Sequence, residues 1–146
     1  MKNLSFGILI VILFIQCHSS KEIQSTANNN PDRQAIEGVI QNYFDGWLTG
    51  DTSLIGSAMH ESCNLKFIRD GKFGKRTRTE YLSFFKPRPR LANSEGRILT
   101  IDITKNAGAA KIELETEKRL FTDYFNLLKE GERWYITDKV STSITK

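Results

Sequence analysis

The sequence predicts an α+β fold in which one curved antiparallel sheet wraps around helices at the start of the domain. Two observations support this prediction. Apolar residues recur at helical spacing over residues 36–48, and from residue 97 onward they alternate with polar residues. Alternation is typical of antiparallel strands with one buried face. Because the helical pattern comes first, the sheet can bury its apolar face by wrapping around the first helix.

The first helix has clear start and stop signals. Asn30 provides a cap, Pro31 suits the first turn, and Gly50 ends the helix. A second, shorter helix begins after Asp51 and runs through Met59. One apolar stripe follows the first helix: Ile36, Val39, Ile40, Tyr43, Phe44, Trp47 and Leu48.

A third helix and several strands follow. The spacing of Thr77 and Glu80 is that of a capping box, and Pro87 ends the helix that it opens. Residues 64–73 form a hairpin around Asp70-Gly71, and residues 120–128 and 133–141 form the last hairpin. The inward residues of the two strands between these hairpins are predicted to be Leu99, Ile101 and Ile103, and Ala110, Ile112 and Leu114.

The segment before the domain has the pattern of an export signal. Residues 1–17 combine Lys2 with an apolar run from Phe6 to Ile15, too short for a spanning helix, which needs roughly 20 residues. Residues 18–31 are rich in Ser and Asn and are predicted to be a flexible tether. Residues 32–146 then form the folded domain, and we expect the protein to be exported to a bacterial cell envelope.

Cys17 follows the apolar run and resembles the lipidated cysteine of a bacterial lipobox, which implies a membrane anchor. Gln16 stands where a lipobox has a small residue, so an ordinary cleaved signal and an uncleaved anchor stay open as alternatives. If Cys17 carries lipid, Cys63 has no partner for an intramolecular disulfide and is expected to be a small buried apolar residue.

Composition and charge narrow the classes of function. Hydrophobic residues make up 39% of the chain, enough for a packed core, and the net charge is +4 with mixed signs. The basic stretch 69–90 is expected to be a solvated rim, and the alternative is that it attracts an anionic ligand or lipid headgroups toward the pocket mouth. Nucleic acid is not an expected partner of an exported protein. No metal-ligand spacing or phosphate-binding loop is present, so neither a metal nor a cofactor is predicted.

Two acids fall on the apolar face of the last hairpin. If Leu128 pairs with Arg133, then Asp123 lies opposite Asp138, at a distance where two carboxylates repel. One acid then takes up a proton, or a cation or water lies between them. A mouth open to water, where both acids are solvated, is the alternative.

Several stretches carry a family resemblance: "IQNYFDGWLTGD", "DGKFGKRTRTEYL", "GRILTIDITKNAGAAKIEL" and "DYFNLLKEGERWYITDKV". Over residues 32–143 the chain resembles the nuclear transport factor 2-like superfamily, which includes SnoaL-like proteins, and within it the group called putative lumazine-binding. The resemblance implies a cone with an internal pocket for a small organic ligand. Function still has to be argued from the site.

The resemblance to ketosteroid isomerase, a member of that superfamily, implies specific roles for Tyr43 and Asp123. Its oxyanion hole joins a tyrosine to a protonated aspartate, and Tyr43 and Asp123 fall at those places. Phe67 or a neighbour stands where the isomerase has its general base, so the resemblance implies oxygen binding without proton abstraction. Asp138 and His60 are the remaining candidates for a base.

The leading prediction is a small-molecule-binding protein, and an isomerase or dehydratase is the first alternative. The predicted ligand-binding residues are Tyr43, Trp47, Phe67, Asp123, Phe125, Trp134 and Asp138. The second alternative is an interaction module that forms a homodimer through the outer sheet face. The residues predicted for that face are Tyr124, Asn126, Tyr135 and Thr137.

Overall fold

The computed structural model describes residues 30–146, so the predicted export signal, Cys17 and most of the tether lie outside the described residues. Helix α1 spans Pro31–Thr49. The side chain of Asn30 accepts a hydrogen bond from the Asp32 amide at its start, and Gly50 ends it with φ 71°. Every one of these signals agrees with the sequence prediction.

Two shorter helices follow. Helix α2 spans Thr52–Ala58, and the Asp51 side chain accepts from the first amides of that helix. Helix α3 spans Arg78–Leu82 and has the predicted capping box between Thr77 and Glu80.

Six strands form one mixed, open sheet. The strand order is β2-β1-β6-β5-β4-β3, and every neighbouring pair is antiparallel except β1 and β6, which run parallel. The strands are β1 Met59–Arg69, β2 Lys72–Thr77, β3 Glu95–Thr104, β4 Ala107–Glu115, β5 Arg119–Glu130 and β6 Arg133–Thr145. The predicted α+β class, with a sheet around the helices, is confirmed.

The core lies between α1 and the inner face of the sheet. The fully buried residues of the helix include Ile36, Ile40, Tyr43 and Leu48, and they face buried residues such as Ile112 and Phe125 on β4 and β5. At Gly96 on β3, a Cβ atom would overlap the ring of Phe44, so glycine lets the helix approach the strand closely.

One predicted strand pattern is wrong in part. The register of β3 and β4 shifts between Ile98 and Thr100, which turns Leu99 outward, where it is 44% exposed. Ile98 takes the inward place, and Ile101 and Ile103 pack against the core as predicted. Within residues 30–146, no helix combines the length and apolarity needed to cross a lipid bilayer.

Candidate functional site

A cavity of about 650 Å³ opens between α1, α3 and the inner face of the sheet. Six aromatic side chains line it together with polar and charged residues. Trp47 of α1 packs edge-to-face on Phe121 of β5 and on Phe85, with ring centres 5.4 and 6.1 Å apart. Aromatic walls of this kind suit the apolar body of an organic molecule.

The floor of the cavity is polar and lies on two adjacent strands, β5 and β6. Asp123 and Lys139 are 2% and 3% exposed, and the Lys139 ammonium contacts Oδ2 of Asp123. Ser141 donates its hydroxyl to Oδ1 of Asp123 at 2.5 Å. Both carboxylate oxygens therefore have partners, as buried charged groups require.

Three aromatic rings surround the Lys139 ammonium. Nζ lies 5.5 Å from the ring centre of Tyr43, 5.6 Å from that of Phe125 and 6.0 Å from that of Tyr81. Burial lowers the pKa of Lys139, and the charge of Asp123 opposes this effect. The ammonium thus depends on one carboxylate and on ring faces for the stabilisation that water would give it.

Two tyrosine hydroxyls meet beside this floor. The hydroxyl oxygens of Tyr43 and Tyr81 are 2.7 Å apart, and Tyr81 also lines the cavity. Burial raises the pKa of both phenols well above the ordinary value. Each phenol therefore keeps its proton at neutral pH, and one of the two hydroxyls donates to the other while its partner retains a proton to donate elsewhere.

The structure places the predicted site residues in three different environments. Trp47, Phe67 and Asp123 line the cavity. Tyr43 and Phe125 lie in the core directly behind it, with their rings in edge-to-face contact at 5.1 Å. The predicted partners Tyr43 and Asp123 do not bond each other, because Tyr43 pairs with Tyr81 and Asp123 pairs with Lys139 and Ser141.

The remaining candidates lie away from the cavity. The indole N–H of Trp134 donates to Asp32 at the start of α1, over 2.9 Å. Asp138 is on the outer face and pairs with Lys66, with Nζ and Oδ2 2.7 Å apart. His60 lies in a separate surface groove, 3.6 Å from Glu130.

The predicted pairing of Asp123 with Asp138 is wrong for two reasons. The hairpin turn is tighter than predicted, with Glu130 opposite Arg133, and a bulge follows between Asn126 and Leu127 in the register of β5 and β6. The bulge moves β6 by one residue, which exchanges its two faces. Asp123 therefore lies opposite Ser141, and Asp138 turns outward.

Phe67 lines the cavity at the place where the isomerase resemblance puts a general base. Its ring packs over Gly74 on β2, where a Cβ atom would come within 2.5 Å of the ring. Among the lining residues within 30–146, Asp123 is the only carboxylate, and its two oxygens are already engaged. Asp123 is therefore not free to accept a proton from a ligand unless it gives up one of these partners.

Sequence reasoning missed several lining residues. Lys139 was not predicted because a lysine on a strand is expected to face solvent unless a bulge turns it inward. Tyr81 and Phe121 were on apolar faces of their predicted elements, so their burial was predictable, but their position at a cavity was not. Cys63 is buried as predicted, and burial raises the pKa of its thiol to about 12.

No cluster of three or more potential metal ligands is present in the described part of the chain. The cavity is therefore best described by its aromatic walls, its tyrosine donors and its ion-paired floor. Arginine side chains stand at its mouth.

Comparison with known proteins places this geometry in a family context. A family model described as "Putative lumazine-binding" matches residues 31–141. No curated protein matches the sequence of the chain. An NTF2-like protein of unknown function from Shewanella baltica OS155 has a similar structure, with a TM-score of 0.72 and 23% identity over 79% of this chain and 95% of that chain.

Two further solved structures are similar. An NTF2-like protein of unknown function from Methylobacillus flagellatus KT gives a TM-score of 0.68 at 24% identity, over 75% of this chain and 90% of that chain. A ketosteroid isomerase-like protein from Erwinia carotovora atroseptica SCRI1043 gives 0.63 at 11% identity, over 80% and 99%. At these identities the structures establish the shared fold alone, and they confirm the predicted cone.

Proposed function

Because the chain belongs to the Putative lumazine-binding family of nuclear transport factor 2-like domains, we propose that it binds a small organic molecule inside the cone. The observation that carries this proposal is the cavity itself, about 650 Å³ with aromatic walls and a polar floor. That combination orients a ligand, since the rings hold its apolar body and the few polar groups fix one end. Because both oxygens of Asp123 already have partners within the protein, we favour ligand binding over catalysis of a reaction.

The polar end of the ligand is proposed to meet the floor. The hydroxyls of Tyr81 and Ser141 and the ammonium of Lys139 all line the cavity. The ammonium has N–H groups beyond the one directed at Asp123, and the Ser141 hydroxyl, which already donates to Asp123, can still accept, so a carbonyl or hydroxyl oxygen on the ligand suits this end. The body of the ligand would lie between Trp47 and Phe67.

A thermal-shift screen with ring-containing carbonyl compounds tests the proposal. A ligand at 100 times its Kd stabilises the native state by about 2.7 kcal/mol, which raises Tm by roughly 10 °C in a domain of this size. Phe121→Ala, which removes part of the wall, is expected to reduce that shift. Phe73→Ala is the matched control, because Phe73 is 68% exposed and does not line the cavity.

Two results would contradict the proposal. One is a screen in which no compound raises Tm. The other is a ligand whose shift is the same in Phe121→Ala as in the unaltered protein, since that ligand would be bound elsewhere. Turnover of a hit compound, lost in Asp123→Asn, would instead favour the isomerase or dehydratase alternative.

We also propose that the domain works outside the cytoplasm, held to a membrane through lipid on Cys17. The support is the sequence before the domain, which has a charged start, a short apolar run and a cysteine directly after it. Metabolic labelling with a fatty acid is expected to mark the protein, and Cys17→Ser is expected to lose the label and leave the membrane fraction. His18→Ala is the neighbouring control, and a Cys17→Ser protein that keeps its label would exclude this anchor.

Self-association is a second proposed property, favoured by the outer face of β5 and β6. Tyr124 and Val140 are neighbours in the register and are 50% and 46% exposed, with Leu128 on the same face at 48%. Exposed apolar side chains in a group are typical of interaction surfaces. Sedimentation should detect a dimer that Tyr124→Lys disrupts and Phe73→Lys leaves intact, and a strictly monomeric protein at high concentration would exclude it.

A further inference from the structure

Four arginines line the cavity near its mouth: Arg69, Arg76, Arg88 and Arg119. No ion pair within residues 30–146 involves any of them. Two arginines outside the cavity differ in this respect, since Arg97 contacts three glutamates and Arg90 contacts Asp45. The cavity therefore gathers guanidinium groups whose charge the protein does not neutralise.

Two of these guanidinium groups flank one ring. The central carbons of Arg69 and Arg76 lie 5.3 and 5.5 Å from the ring centre of Phe67, and that of Arg76 lies 4.3 Å from the ring centre of Phe84. Stacking on a ring restrains a guanidinium while its N–H edge stays available for a planar anion. Two cations held beside one ring also repel each other, and a bound anion relieves that repulsion.

The other two arginines, Arg88 and Arg119, lie on other parts of the cavity mouth. Arg88 donates to the Trp47 carbonyl at 2.6 Å, and its Nε is buried without a hydrogen-bond partner. Arg119 reaches the hydroxyl of Ser143 only at 3.4 Å. Arg119, which is exposed, retains donor groups that a ligand atom at the mouth can satisfy, whereas the buried Nε of Arg88 is out of reach of a ligand.

The floor does not offset this positive charge. Asp123 is the one carboxylate among the described lining residues, and Lys139 neutralises it at close range. The charged side chains that line the cavity therefore carry a net positive charge. Low-dielectric walls concentrate such a field and draw anions inward.

We propose that the cavity selects ring-shaped molecules carrying one anionic group, a carboxylate or a phosphate, which the arginines bind at the mouth while the ring lies between the aromatic walls. This inference rests on the proposed function, because it specifies the class of ligand for the same cavity. Arg69 and Arg76 form the main anion contact, and Arg88 and Arg119 contribute to the field.

A matched pair of dyes tests the inference on the full chain. 8-Anilinonaphthalene-1-sulfonate and N-phenyl-1-naphthylamine share one ring system and differ by a single sulfonate. We expect the sulfonate dye to bind about tenfold more tightly, as charge-assisted hydrogen bonds to arginine allow. Raising NaCl from about 0.05 to about 0.5 M should weaken the sulfonate dye and leave the neutral dye unchanged, since salt screens the arginines.

Substitution then locates the effect. Arg69→Gln combined with Arg76→Gln is expected to abolish the preference for the sulfonate while the affinity for the neutral dye changes less than about twofold, which shows that the cavity is intact. Lys105→Gln is the control, because it removes one exposed positive charge in the turn between β3 and β4. Dye bound to residues 1–29 is common to all variants and cancels in the comparison.

Each outcome has a definite meaning. Loss of the sulfonate preference in the double variant alone supports the inference. Equal affinities for the two dyes in the unaltered protein overturn the anionic inference and leave small-molecule binding standing. A preference that survives the double variant, or that Lys105→Gln also removes, overturns it as well. Failure of both dyes to bind refutes the proposed function together with the inference.

Discussion

Replacing Lys139 by methionine removes the ammonium at the cavity floor while it keeps an unbranched side chain. The Asp123 carboxylate, 2% exposed, then retains only the hydrogen bond from Ser141. Removing one member of a buried ion pair typically costs about 3–5 kcal/mol, because the remaining charge is left without compensation. Domains of this kind have about 5–15 kcal/mol of total stability, so the loss is a large part of the whole.

A double-mutant cycle separates the ion pair from simple loss of packing. Asp123→Asn removes the negative charge but keeps an oxygen that accepts from Ser141, and it leaves the Lys139 ammonium without its carboxylate. The variant with both Asp123→Asn and Lys139→Met has no buried charge, so we expect it to be more stable than either single variant. The coupling free energy should be about 3 kcal/mol.

The protein contains a matched control on the other face of the sheet. Lys66 and Asp138 also form a lysine–aspartate pair, 2.7 Å apart, but their side chains are 38% and 22% exposed. Solvent screens such a pair, so Lys66→Met should cost at most about 1 kcal/mol. The comparison holds the substitution constant and changes the burial.

Urea denaturation followed by circular dichroism measures all of these variants. With a slope of about 1–3 kcal/mol per molar urea, Lys139→Met should lower the midpoint by about 1 M or more. If Lys139→Met costs no more than Lys66→Met, the floor is hydrated and the argument from burial fails. Additive effects of the two single variants would refute the ion pair itself.

Three further predictions concern stability. Burial raises the pKa of Cys63 from 9.0 to about 12, so the contribution of the protonated thiol to stability is complete below pH 9 and falls by about 1.4 kcal/mol for each pH unit between 9 and 12. Cys63→Ala should therefore flatten the decline of the urea midpoint at alkaline pH. An equal decline in the variant would contradict this role of the thiol. The Trp134 N–H and the Lys129 ammonium lower the pKa of Asp32, so the contribution of its carboxylate to stability is present above pH 3.8 and is lost as the pH falls further. Asp32→Asn should therefore flatten the decline of the urea midpoint at acid pH. An unchanged decline would exclude this role of the carboxylate. Gly96→Ala should cost about 1–3 kcal/mol because the new Cβ meets the Phe44 ring, whereas Gly38→Ala, in open space inside α1, should stabilise the protein by about 0.5–1 kcal/mol because alanine has the higher helix propensity.

Local signals made much of the fold predictable. The apolar stripe of α1, its Asn30 cap and the capping box at Thr77 each depend on residues close in sequence, and the structure has all three. The alternation in β4 is equally local, and Ala110, Ile112 and Leu114 are buried as predicted. Helix period and strand period are properties of a segment, so a single sequence is sufficient to read them.

The site was less predictable because it depends on strand register. The bulges in β3 and in the β5–β6 pairing each move a strand by one residue, and no turn residue or proline marks either place. These unmarked bulges explain why Leu99 was predicted to face inward and why Lys139 was not predicted to line the cavity. Register depends on how complete faces pack across the sheet, which is a property of the assembled fold.

One displaced residue also determines the electrostatics of the cavity. Without the bulge, Asp138 would continue the inner face of β6, and the floor would bring a second carboxylate near Asp123. Two such acids would favour a cation and would oppose the arginines at the mouth. With the bulge, Lys139 faces Asp123 and neutralises it, so the positive charge of Arg69 and Arg76 is unopposed. The proposed preference for an anionic ligand is therefore a consequence of strand register as much as of composition, because the unbulged register would place a second acid inside the cavity and offset part of the charge of its arginines.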